Sequence, residues 1–322
     1  MEKTDLRIVF FGTPEFAVAS LRRLVDGGYN VVGVVTMPDK TGGRGHRLIE
    51  SDVKRYAAEA GLPVLQPEKL RAPEFLEQLR ALRADLQIVI AFRMLPEAVW
   101  AMPRLGTFNL HASLLPRYRG AAPINRAVMN GDASTGITTF FLRHEIDTGD
   151  VIQQVEVPIG FDDNVGDVHD RLMLLGADLV VSTVDAIIAG TVKPIPQEQL
   201  ITRDVAPTPA PKIFKEDCHI DCGRSALEVY NLIRGLSPYP GAWCDYCSPD
   251  GAVATQLKVL RTGHPEPLPD ARPGSLDFDK HHLWLHCADG RLELLELQPA
   301  GKRRMTADEF LRGYDPTACT CR

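Results

Sequence analysis

The sequence predicts an α/β protein: an N-terminal Rossmann-like, doubly wound, mostly parallel sheet, followed by a small C-terminal β-barrel of the oligonucleotide-binding (OB-like) kind. Three observations carry this. The chain opens with an apolar strand, an amphipathic helix and a second β-branched strand, the βαβ unit of a parallel sheet. Apolar strands and helical stripes then alternate as far as Ala189. Beyond a proline-rich stretch, the texture changes to short strands punctuated by turns.

The elements follow in order. Leu6 to Gly12 is an apolar strand. Pro14 stands near the start of a helix, where its fixed φ is tolerated. Phe16, Leu21, Leu24 and Val25 give that helix its stripe, and Gly27-Gly28 stops it. Val31 to Val35 is the second strand. The turn Gly12-Thr13-Pro14-Glu15-Phe16 lacks the glycine pattern of a dinucleotide fingerprint, which excludes an NAD enzyme. Helices are predicted over Val53 to Ala60 and Pro73 to Arg83, and an apolar strand over Leu86 to Phe92. Leu105 to His111 is a strand, and Pro123 opens a helix ending near Gly131. Thr135 to Leu142 and Val151 to Val157 are strands flanking a loop that holds Asp147. Val168 to Ala189 is a long helix, apolar on one face.

Residues 192–211 contain Pro194, Pro196, Pro207, Pro209 and Pro211, a density that predicts an extended, semi-rigid linker. The expected domains are therefore 1–191 and 212–322. In the second, Ala226 to Arg234 is a short helix, and Pro238-Tyr239-Pro240-Gly241, Pro249-Asp250-Gly251 and Ala288-Asp289-Gly290 are turns between strands.

Composition sets the class. A chain of 322 residues suits about two domains. No apolar stretch is expected to approach the ~20 residues that span a bilayer. The acidic Met1-Glu2-Lys3-Thr4-Asp5 does not read as a signal peptide, so a cytoplasmic location is expected. Seven cysteines form no even framework and read as reduced thiols. Cys244-x2-Cys247 lacks a second pair at metal-ligand spacing, and Cys319 and Cys321 are expected in a mobile tail. A net charge of −6 argues against indiscriminate binding of DNA or RNA. Positive charge is concentrated locally, from Lys40 to Arg55 and at Lys302-Arg303-Arg304. Each cluster also reads as an ordinary solvated face.

The segment Asn109-Leu110-His111-Ala112-Ser113-Leu114-Leu115-Pro116 is the most informative in the chain. On a strand, Asn109 and His111 share one face, while Phe108 and Leu110 face a core. An amide that can donate to an oxyanion thus stands beside an imidazole that can move a proton, at a strand end where sites form in α/β sheets. On the triplet alone, both side chains could equally serve only backbone groups of the loop.

The surrounding residues narrow this. Asn109-Leu110-His111, Ser113-Leu114-Leu115-Pro116, Tyr118-Arg119-Gly120, Ala122-Pro123-Ile124 and Asp147-Thr148-Gly149 together resemble the formyltransferases that use 10-formyltetrahydrofolate. Phe11-Gly12-Thr13-Pro14-Glu15-Phe16-Ala17, Gly43-Arg44-Gly45, Ala210-Pro211-Lys212-Ile213 and Ile233-Arg234-Gly235-Leu236 are similar to the branch that formylates methionyl-tRNA. The resemblance implies Asn109, His111 and Asp147 as catalytic residues, with Asp147 orienting the imidazole and holding a water. The folate's heterocycle is expected in an apolar pocket near the strand ends, walled by Ser113, Leu114, Leu115 and Pro116 and by the Ile88 to Leu95 segment, while Leu114 and Leu115 read equally as core residues. Local positive charge points to Lys302, Arg303 and Arg304 as tRNA contacts. The resemblance implies a further tRNA contact from the loop that holds Arg44. It implies 10-formyltetrahydrofolate as donor, tetrahydrofolate as product, methionyl initiator tRNA as partner, and no metal, membrane or DNA. Residues 1–191 would then be catalytic and 212–322 would hold tRNA. Alternatives are an amino-sugar-nucleotide N-formyltransferase, a hydrolase of the formyl folate, and a folate- or RNA-binding module without catalysis. Three positions depart from the pattern: Arg93 replaces a glycine, Cys222 a tryptophan, and His46-Arg47 a more lysine-rich pair.

Overall fold

The protein's fold is described from a computed structural model covering residues 2–42, 47–203 and 205–322, apart from the side chain of Arg47. Arg44 and His46 lie outside the described residues. Chain contacts divide the protein into two units: residues 1–120, 135–157 and 169–210, and residues 121–134, 158–168 and 211–322. The expected single cut near the proline-rich stretch is thus an interleaving, in which the second unit claims two earlier segments.

The chain runs β1 (Ile8–Gly12), α1 (Glu15–Asp26), β2 (Val31–Val35), β3 (Lys40–Gly42), β4 (Arg47–Ile49), α2 (Asp52–Glu59), β5 (Val64–Leu65), α3 (Pro73–Ala81), β6 (Leu86–Ile90), α4 (Glu97–Trp100), β7 (Thr107–His111) and β8 (Arg119–Gly120). It continues with α5 (Pro123–Met129), β9 (Ser134–Phe141), β10 (Val151–Pro158), α6 (Val165–Ala189) and β11 (Pro209–Ala210). The main sheet has the order β10-β9-β7-β6-β1-β2-β5. β1 pairs in parallel with β2 and β6, β2 with β5, and β6 with β7, while β7 pairs antiparallel with β9. Every residue of β1 and β6 is buried, as expected of central strands covered on both faces. The winding reverses between β1 and β6, which opens a crevice beyond the carboxyl ends of the strands. α1 turns Phe16, Ala17, Leu21 and Leu24 inward.

Two expectations change in this unit. α6 is 25 residues long, with a mean hydropathy of 2.0 over its most apolar window, so by length and composition it reaches the range of a membrane span. Its small Gly176 meets Ile137 and Leu110 of the sheet, and Thr183 hydrogen-bonds to Thr139 and Gln153. Asp178 pairs with Arg23, and Asp185 accepts from Tyr29. Part of its apolar surface is thus laid on the sheet, while Leu174 on the same helix is 63% exposed. The proline-rich segment is extended, but it is anchored at several points. Ile195 bridges to Val151, Gln197 is fully buried, and β11 pairs in parallel with β8.

The second unit adds α7 (Ala226–Leu236), β12 (Ala242–Cys247), β13 (Val253–Thr262), β14 (Glu266–Pro267), β15 (Leu276–Phe278), β16 (Leu283–His286), β17 (Gly290–Pro299), β18 (Met305–Thr306), α8 (Ala307–Leu311) and β19 (Thr320–Cys321). Ser225 and Glu228 form a capping box that starts α7. The sheet runs β15-β16-β17-β13-β12-β19, and its two ends meet where Ser275 bridges to Thr320 and the Cys321 N–H donates to Gly274 at 2.7 Å. That seam makes the sheet a barrel. Val229, Ile233 and Leu236 of α7 pack on Leu257, Leu285 and Leu292 in its core. α5 also packs in this unit, its Asn125 donating to Gly235 at 2.8 Å.

The C-terminal cysteines correct the expectation of a loose tail. Cys319 and Cys321 are buried, because the last strand closes the barrel and turns both side chains inward. All seven thiols are free and buried, and burial pushes Cys222 and Cys287 up to about 12. The native protein should therefore leave its thiols unreacted for minutes with an aromatic disulfide reagent at pH 8, and release seven equivalents once unfolded in guanidinium. Rapid native reaction of any thiol would contradict this packing.

Candidate active site

β7 delivers Asn109 and His111 to the crevice. Period-two alternation puts the two side chains on one face, while Phe108 and Leu110 are buried. Across the antiparallel pair, Asn109 faces Phe140 and His111 faces Thr138. His111 is 7% exposed, and the edge of its ring packs against Phe140.

One backbone carbonyl and one carboxylate set the chemistry of this imidazole. His111 Nε2 lies 2.8 Å from the carbonyl oxygen of Tyr118. A carbonyl only accepts, so Nε2 carries the hydrogen and Nδ1 of the neutral ring is left as the proton acceptor. Tyr118 turns its carbonyl inward from a left-handed conformation at φ 60°. Nδ1 lies 3.8 Å from the Asp147 carboxylate, too far for a direct hydrogen bond and close enough for charge to act.

Asp147 is held from both ends. Its carboxylate accepts the Gly120 N–H at 2.9 Å, and its backbone sits at φ 55°. Such a conformation costs roughly 1–3 kcal/mol in a residue with a Cβ and persists only where its surroundings enforce it. Gly149, two residues on, is part of that enforcement: a Cβ there would stand 1.6 Å from the Phe141 carbonyl oxygen. Gly120 itself is at φ 128°, with space for a Cβ closed by the Ala210 carbonyl at 2.6 Å. The sequence pointed to Asn109, His111 and Asp147, and the structure brings His111 and Asp147 together on the face that Asn109 shares. The roles of the Tyr118 carbonyl and the Gly120 N–H were not read. Their signal was the glycine of Tyr118-Arg119-Gly120, which frees the backbone for a close approach.

The loop from Ser113 to Pro116 presents little of its side chains. Ser113 and Leu115 are 0% and 2% exposed. The Ser113 hydroxyl donates to Arg117 O, and its carbonyl accepts from Thr138. Leu114 is half-buried, its methyls against Gly136. β6 and β7 are in register from Gln87–Thr107 to Ile90–Leu110, so the segments after both strands leave at the same edge. There Met94 is 73% exposed. Arg93 fits its place because the left-handed turn falls on Ala91, at φ 45°. Its guanidinium is drawn onto the carbonyls of Pro67 and Glu68. Cys222 packs into the barrel core at the tryptophan position.

In the second unit Lys302, Arg303 and Arg304 are exposed. Arg303 is engaged by Glu309 at 2.7 Å, and Arg304 donates to the Pro238 carbonyl at 3.3 Å. Among the described residues no group of three or more His, Cys, Asp or Glu is arranged to hold a metal ion.

Residues 6–184 match a family model described as formyl transferase, and residues 212–315 one described as formyl transferase, C-terminal domain. Methionyl-tRNA formyltransferase of Bacteroides fragilis is 58% identical over 318 residues, covering 98% of each chain. That of Phocaeicola vulgatus is 60% identical over 316 residues, covering 98% of this chain and 97% of its own. Among solved structures, an N-formyltransferase from Helicobacter canadensis with folinic acid and dTDP-3-aminofucose shares the fold, with a TM-score of 0.64 and 16% identity over 91% of this chain and 99% of that one. Glycinamide ribonucleotide transformylase 1 from Symbiobacterium toebii covers 59% of this chain and 94% of its own, with a TM-score of 0.51 and 20% identity.

Gly149→Ala tests the close approach behind Asp147. The added methyl must push the turn off Phe141, which should destabilise the protein by about 3 kcal/mol, the upper range for a single strained position. Urea unfolding measures this, and a change below about 0.5 kcal/mol would contradict it.

Proposed function

The chain belongs to the formyl transferase family, and from that premise we propose that it transfers a formyl group from 10-formyltetrahydrofolate to the α-amine of methionyl initiator tRNA, in the cytoplasm. One observation supports the chemistry above the rest: a buried imidazole with its proton-accepting nitrogen turned toward a fixed carboxylate, on the strand face that also carries an amide. The choice of acceptor rests on identities of 58% and 60% across nearly the whole chain with enzymes named for methionyl-tRNA. The sugar-nucleotide enzyme shares only the fold at 16% identity.

The crevice suits a folate. Met94 and half-buried Leu114 offer apolar contact for an aromatic heterocycle at the edge where β6 and β7 end, beside the polar trio. When bound, the formyl folate supplies an already activated acyl group, so the reaction calls for no metal. Ser113, Leu115 and Pro116 shape that wall from within, while Leu114 lies at its surface.

Asn109 donates its amide N–H to the formyl oxygen as negative charge develops there; loss of one such donor typically costs about 3 kcal/mol. His111 takes the proton of the attacking amine at Nδ1, its Nε2–H remaining on Tyr118, and passes it to the folate nitrogen as the bond from that nitrogen to the formyl carbon breaks and tetrahydrofolate leaves. The Asp147 carboxylate stabilises the imidazolium that results, and the 3.8 Å gap to Nδ1 leaves the pair open to a bridging water. The first unit carries this chemistry. The second unit holds RNA phosphates through local positive charge on an acidic protein, with Lys302, Arg303 and Arg304 as its contacts and Arg44 as a contact from the first.

Incubating the protein with 10-formyltetrahydrofolate and methionyl initiator tRNA should yield N-formylmethionine after ester hydrolysis, and its absence would overturn the reading. His111→Ala should fold and lose at least about a hundredfold in kcat. Asp147→Asn keeps an oxygen for the Gly120 N–H and removes the charge, so kcat should fall with folate KM nearly unchanged; the reverse pattern would make Asp147 a binding residue. Because Arg303 is already paired with Glu309, Lys302→Ala with Arg304→Ala should raise the tRNA KM and flatten its salt dependence more than Arg303→Ala does. Equal effects would show that the ion pair does not withhold Arg303 from RNA.

A further inference from the structure

Gln197 lies far along the chain from the catalytic motif, in the proline-rich segment, on a short 3-10 turn of residues Gln197–Leu200. It is 0% exposed, and its side-chain amide is fully engaged. Nε2 donates to the backbone carbonyls of Asp147 and Gly149, each at 2.8 Å. Oε1 accepts from Arg119 Nε at 3.1 Å and Nη2 at 2.7 Å. Arg119 immediately precedes Gly120, whose N–H holds the Asp147 carboxylate. One buried side chain therefore grips both halves of the arrangement: the strained turn that carries the carboxylate and the strand that supplies its donor.

The same segment grips that strand a second time. Thr208 Oγ1 accepts the Tyr118 N–H at 2.8 Å, and Thr208 O accepts the Arg119 N–H at 2.9 Å. Tyr118 is the residue whose carbonyl fixes the hydrogen on His111.

Only a primary amide of this length meets the demand. Two carbonyls require donors, and a guanidinium requires an acceptor. Glutamate would satisfy Arg119 and set a negative oxygen against two carbonyls. Methionine would remove all four bonds, leaving the buried Gly149 carbonyl without its Gln197 donor.

We propose that Gln197 is a positioning residue for formyl transfer, holding the Asp147 carboxylate at its working distance from His111 without touching substrate. This rests on the reading of His111 and Asp147 as the working pair.

The full-length protein tests it. kcat and both KM values are measured for wild type, Gln197→Met, Gln197→Glu, Asp147→Ala and the double variant Asp147→Ala with Gln197→Met, with thermal unfolding as the check on folding. Gln197→Met should lose at least tenfold in kcat, with both KM values within twofold of wild type. In the Asp147→Ala background the same substitution should change kcat by less than twofold, because the carboxylate it positions is gone. Loss of equal size in both backgrounds shows general support of the fold and overturns the proposal, as does unchanged kcat in folded Gln197→Met. If Gln197→Met does not fold, Gln197→Glu keeps the Arg119 contact and should show the same kcat loss at unchanged KM; failure of that variant to fold reduces Gln197 to a stability role and overturns the proposal. Asp147→Ala at wild-type kcat would overturn the underlying reading and this inference with it. A crippled Asp147→Ala beside a normal Gln197→Met would overturn this inference alone.

Discussion

The site stands on a single backbone hydrogen bond, from the Gly120 N–H to the Asp147 carboxylate. A carboxylate this close to a buried ring must be fixed by a donor, or it swings to solvent and its field at the imidazole collapses. The donor is available because Gly120 adopts a conformation that a side chain would oppose, against the Ala210 carbonyl. The acceptor is in place because Asp147 itself is held in a left-handed turn. A strained residue on one side of the bond and a position that only glycine fills on the other show that the surrounding structure determines the geometry. The Tyr118 carbonyl completes the constraint by deciding which nitrogen of His111 is free.

How much of this the sequence reveals depends on the range of the interaction. β1 and β6 are legible because buried central strands are largely apolar runs, and β7 with its Asn109–His111 pair because alternation along a strand is a local rule. The turn residue Asp147 is legible only through its family resemblance, since its contact with His111 spans a loop. What escaped depends on distant pairing. The prolines of 192–211 signal extension correctly and say nothing of what the segment lies against. The apolar stretch of α6 and the two C-terminal cysteines were each read by composition; the sheet covers part of the first, and the barrel core takes up both thiols of the second. Arg93 marked a departure whose outcome turned on a neighbour, since the left-handed turn falls on Ala91.

Charge follows the same division between local and distant. The net charge of −6 describes the average field around the molecule and leaves the short-range one open. Three consecutive basic residues look equivalent on paper, yet Glu309, which also belongs to the box that caps α8, already balances one of them. A helix start and a basic side chain thus draw on the same carboxylate, and the positive patch is smaller than its count of side chains.

The interleaving of the two units has a consequence for synthesis. α5 leaves the ribosome more than a hundred residues before Gly235, its partner on α7, and the barrel seam waits for residues Thr320–Cys321 at the very end of the chain. During elongation the first unit can gather most of its sheet while α5 still lacks the helix it packs on. Apolar surface is then exposed for the time taken to add the rest of the chain, some seconds at ordinary elongation rates. Chaperones bind surfaces of this kind, and the exposure ends when β19 emerges and closes the barrel seam.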